Sequence, residues 1–117
     1  MFREFKHVRQ EPGGQRRWFE APEIEFVVWL DQVGGQTGFQ LIYQLSGKEC
    51  ALTWRRGLGF NHSRVDSGDI LFSKQTPLLI ADGAVPWGGI EDLFQKHASS
   101  LEVEFRELVL GRLAERR

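Results

Sequence analysis

Cysteine is nearly absent from this chain: Cys50 stands alone among 117 residues, alongside only three histidines. A single thiol closes no internal disulfide and builds no cysteine-rich zinc site, so a reducing, cytoplasmic setting is expected. Charge of one sign is lacking as well. Fifteen Lys and Arg against sixteen Asp and Glu give a formal net charge of −1. No whole-molecule field therefore draws in nucleic acid or an anionic membrane, and either partner would need a local patch. Long apolar runs are missing: none approaches the roughly 20 residues of a membrane-spanning helix. The opening Met1–Gln10 interrupts its apolar residues with Arg3, Glu4, Lys6 and Arg9, unlike the apolar stretch of about 7–15 residues in a secretion signal. The nucleophile-elbow serine, the P-loop lysine and the dinucleotide-binding glycine fingerprint do not occur, and no cofactor is expected.

What is present suits one ordinary folded unit. Hydrophobic residues make up 41% and charged residues 26%, well away from the composition of disordered chains. The length fits a single domain over 1–117, large enough to bury roughly two-thirds of its unfolded surface.

Alternation is the strongest signal. Ile24, Phe26, Val28 and Leu30 alternate with Glu25, Val27, Trp29 and Asp31, which is the period of a strand. Taking Gly34-Gly35 as a two-residue hairpin turn pairs Leu30 with Phe39, Val28 with Leu41, Phe26 with Tyr43 and Ile24 with Leu45. Taking Ser46-Gly47 as the next turn pairs Tyr43 with Cys50, Leu41 with Leu52 and Phe39 with Trp54. Strands over Ile24–Val33, Gln36–Leu45 and Lys48–Arg55 then form a three-stranded meander spanning 24–55, with one apolar face that needs cover.

The cover comes from the C-terminus. Ile90, Leu93, Phe94, His97 and Ala98 recur at helical spacing, and so do Leu101, Phe105, Leu108, Val109 and Leu113. Ser99 and Glu102 have the spacing of a capping box that would separate two helices. Further strands are expected at Arg16–Glu20, within Phe2–Arg9, at Phe60–Val65 and at Leu78–Ala81. The predicted fold is therefore α+β: a mostly antiparallel sheet of about five strands, with two C-terminal helices packed on one face.

No motif in the sequence names a function, so function has to be read from surfaces. The meander's second face mixes Val27, Trp29 and Ile42 with Gln40, Thr53 and Arg55, too apolar for a solvated face and too polar for a core. These six residues form the candidate binding face. They point to a non-catalytic interaction domain whose partner is another protein or a second copy of the chain. Two alternatives compete. His62, Asp66 and Asp69 have a spacing that can offer three ligands to a divalent ion, as a metal-dependent enzyme requires, but Asp66-Ser67-Gly68-Asp69 is equally ordinary turn chemistry. Arg16, Arg17 and Trp18 with Arg55, Arg56 and Arg64 form a basic and aromatic set suited to weak nucleic-acid binding, which the near-zero net charge disfavours.

Overall fold

The computed structural model describes residues 1–5, 14–45, 47–64 and 85–115. Six strands run in sequence order across one antiparallel sheet: β1 (Arg3–Phe5), β2 (Gly14–Ala21), β3 (Ile24–Asp31), β4 (Gln36–Leu45), β5 (Lys48–Arg55) and β6 (Gly59–Arg64). Helix α1 (Trp87–His97), a 3-10 turn over Ala98–Ser100 and helix α2 (Val103–Glu115) follow. The α+β architecture and the central meander agree with the sequence pattern, and the sheet has one more strand than the five anticipated. The Leu78–Ala81 strand lies outside the described residues. None of the described helices is long and apolar enough to cross a membrane.

Local chemistry sets each turn. Pro22 and Glu23 join β2 to β3, with Ala21 paired to Ile24. Proline suits the first corner, while Glu23 takes φ 76°, a left-handed conformation uncommon for a residue with a side chain. Between β3 and β4, Asp31 Oδ1 accepts hydrogen bonds from the amides of Val33 (3.0 Å) and Gly35 (2.7 Å).

That carboxylate organises a longer loop than the glycine pair alone suggested. The strand ends at Asp31, Val33 is 91% exposed, and an irregularity falls between Trp29 and Leu30. As a result Val28 pairs with Phe39, Phe26 with Leu41 and Ile24 with Tyr43. The register expected from a two-residue turn is thus displaced by two positions. An even displacement changes partners but not faces, so the apolar set stays on one side. The next hairpin pairs Tyr43 with Cys50, Leu41 with Leu52 and Phe39 with Trp54, as the Ser46-Gly47 turn implies.

The helices cover the apolar face. Ile90, Phe94 and His97 of α1 and Phe105, Val109 and Leu113 of α2 are buried against it. Phe26, fully buried, is the hub: its ring centroid lies 5.5 Å from Phe94, 5.7 Å from Phe19, 6.1 Å from Phe2 and 6.2 Å from Phe105. The expected Ser99–Glu102 capping box is replaced by another arrangement. Helix α2 starts at Val103, and the Glu102 carbonyl accepts from the Phe105 and Arg106 amides. The Glu102 carboxylate instead reaches Arg17 at 2.8 Å, and Ser100 Oγ donates to the Phe2 carbonyl. Arg17 also holds Glu4 at 2.9 Å, which ties β1, β2 and the start of α2 together.

Candidate functional site

The strand period of two turns alternate residues to the face opposite the helices. Pairing aligns them in rows across the sheet. Arg16, Trp29, Gly38 and Arg55 form one row, and Trp18, Val27, Gln40, Thr53 and Asn61 form the next. Further along, Glu20 and Glu25 sit beside Ile42 and Ala51. The two-position displacement shows here too: Val27 faces Gln40 instead of Ile42, and Trp29 faces Gly38 instead of Gln40.

An open groove of about 560 Å³ runs along this face. Val27, Trp29, Gln40, Ile42, Thr53 and Arg55, the six residues singled out by alternation, all line it. Val27 and Thr53 are buried in its floor, Trp29 is half-buried and Arg55 is exposed. Strand β1 joins the sheet edge beside β2 and does not fold over the groove.

The groove's chemistry is aromatic and cationic. The Arg55 guanidinium lies 4.4 Å from the Trp29 ring centroid, and that of Arg16 lies 6.0 Å from Trp18. Such stacking is worth on the order of 0.5–1 kcal/mol at exposed sites and more where water is excluded. Trp18 Nε1 donates to Glu25 at 2.9 Å, and Gln40 Nε2 donates to Thr53 Oγ1 at 3.0 Å. Glu25 is held above the usual carboxylate range, chiefly by burial, with Glu20 and Glu49 adding repulsion and the Trp18 donor opposing the shift.

Arg16, Trp18, Leu58, Gly59, Phe60 and Asn61 complete the lining but were not part of the candidate face. Two of them were within reach of the same reasoning. Treating Pro22-Glu23 as a turn pairs Ala21 with Ile24, which carries Trp18 to Val27 and Arg16 to Trp29. Leu58 and Phe60 depend on how the β5–β6 turn curls, for which strand alternation holds no signal.

Of the other two candidate sets, one lies partly outside the described residues and the other is divided between the two faces of the sheet. His62 pairs with Leu52 on the helix-covered face, where its Nε2 is hydrogen-bonded to the Tyr43 hydroxyl. Burial lowers the His62 pKa and raises that of Tyr43. Asp66 and Asp69 lie outside the described residues, and among the described residues no three His, Cys, Asp or Glu side chains gather as a metal site would need. Of the arginine set, Arg16 and Arg55 share the groove. Arg17 is on the opposite face with Glu4 and Glu102, Arg56 donates to the Gln36 carbonyl, and Arg64 pairs with Cys50 on β5. Cys50 is buried opposite Tyr43, in surroundings that suit a small apolar residue better than a nucleophile.

Neither models of known families, nor curated proteins, nor solved structures gave a match to this chain.

Proposed function

We propose that this chain is a non-catalytic binding domain that docks a protein partner through the groove around Trp29. The observation that carries this reading is the concentration of two tryptophans and two arginines, Trp18, Trp29, Arg16 and Arg55, along one open groove. Tryptophan and arginine are the residue types most often found to anchor protein interfaces, because each offers a large contact area with a polar handle. The half-buried Trp29 gains further burial only when something fills the groove, and a buried aromatic side chain removes about 150–250 Å² from water. The partner is another polypeptide, a second copy of this chain included, and the lone buried Cys50 fits a reducing, cytoplasmic setting.

Replacing Trp29 with serine separates a docking role from a core role. The variant is expected to melt within a few degrees of the parent while losing partner capture or self-association, since truncating an interface anchor costs about 2 kcal/mol or more of binding. Severe unfolding with no separable loss of association would make Trp29 a second core residue and remove the reading's support.

A further inference from the structure

Among the described residues Arg55 is a cation without a counter-charge. Elsewhere Arg17 is matched with Glu4 and Glu102, Arg112 with Glu115 and Lys96 with Glu23. Arg55, exposed at the groove, makes no ion pair within the described residues; its guanidinium rests on Trp29. A guanidinium stacked on an aromatic face keeps its in-plane N–H fork available, and that fork matches the two oxygens of a carboxylate. Among the described residues no Asp or Glu lines the groove. Arg55 thus brings a stacked guanidinium to the groove in a chain whose formal net charge is −1.

Resting on the docking reading above, we infer that the partner presents an acidic segment to this groove, with a carboxylate against Arg55 and apolar side chains over Ile42 and the Trp29 ring. The same face argues against a nucleic acid. Glu25 stands four residues from Trp29 along β3, about 13 Å away at roughly 3.3 Å per residue, with Glu20 beside it and Glu49 beyond. A continuous polyanion following the sheet would run onto those carboxylates, whereas a segment with its acids clustered at one end would not. Arg17 lies on the opposite face with Glu4 and Glu102, and Arg56 donates to the Gln36 carbonyl, so neither adds to the charge at the groove.

The test uses the full chain and four probes: short peptides of three valines followed by three glutamates, three glutamines or three lysines, and a short oligothymidylate. Tryptophan fluorescence and calorimetry give the affinities at low and high salt. The glutamate peptide is expected to bind about tenfold more tightly than the glutamine peptide at low salt, with the difference shrinking as salt rises. Arg55→Gln should erode that advantage several-fold at unchanged melting temperature. Equal affinity for the glutamate and glutamine peptides, no binding of the glutamate peptide, or tighter binding of the oligothymidylate would overturn the inference. If both peptides bind alike and Trp29→Ser abolishes both, the acidic specificity falls while the docking reading stands. If Trp29→Ser leaves association untouched, the docking reading falls with it.

Discussion

Gly38 lies directly across the sheet from Trp29, and a Cβ on Gly38 would come within 3.2 Å of the indole Cε3 and 2.6 Å of the Trp54 carbonyl oxygen. The missing side chain is what lets the indole lie flat across β4 with Arg55 stacked on it. Gly38→Ala is therefore expected to destabilise the fold by about 1–3 kcal/mol, as overpacking does elsewhere, and to shift the tryptophan emission as the ring is displaced. Denaturant titration followed by fluorescence checks both. Unchanged stability and emission would mean that the ring is not held as described.

The helix-covered face gives the steepest expected losses. Phe105→Ala and Leu41→Ala each delete buried volume between α2 and the sheet, at a cost of about 2–5 kcal/mol. Phe26→Ala should fall at the upper end of that range, because five neighbouring rings lose their common contact. Calorimetric melting decides the matter. A loss below about 1 kcal/mol, typical of surface changes, would show that α2 does not pack on the sheet.

The Asp31 carboxylate explains why one hairpin was only half legible in the sequence. Glycine pairs announce a turn, but nothing in Gly34-Gly35 states that Asp31 will accept two loop amides and lengthen it. Faces survived the resulting two-position displacement because side-chain direction repeats every two residues, so the expected face assignments held while the partners across the β3–β4 hairpin did not. The helices were legible from their apolar stripes, whereas the capping chemistry between them was not, because Arg17, 85 residues distant, competes for Glu102. Long-range competition of that kind leaves no local trace. Asp31→Ala should cost about 1–3 kcal/mol through two orphaned amides, read as a lower midpoint in urea.

Glu23 is the one non-glycine residue with positive φ among those described, and its carboxylate is only loosely placed, 3.5 Å from Lys96 with both side chains exposed. The left-handed conformation costs roughly 1–2 kcal/mol for a residue with a Cβ, while glycine adds about 0.5–1 kcal/mol of unfolded-state entropy. The first term is the larger, so Glu23→Gly is expected to raise stability slightly and Glu23→Val to lower it. Thermal melting of the pair gives the sign.

Stability should fall as pH drops below the ordinary histidine value of 6.5, because burial holds the pKa values of both His62 and His97 lower in the folded state. The sign follows from proton uptake. Between the lowered folded value and 6.5 the unfolded chain binds protons that the native chain does not, so acid favours unfolding. Above 6.5 both states hold neutral imidazoles and these two groups contribute no slope. His62 is the more informative of the pair, since its Nε2 meets the Tyr43 hydroxyl inside the core and protonation would replace an acceptor there with a second donor. The variant Tyr43→Phe with His62→Leu removes both polar partners together, so neither is left orphaned. It should lose part of the slope between pH 6.5 and the acid limb, with the remainder belonging to His97. Denaturant midpoints measured across pH 5–8 for the parent and this double variant make the comparison, and an unchanged slope would mean that His62 does not resist protonation in the folded chain.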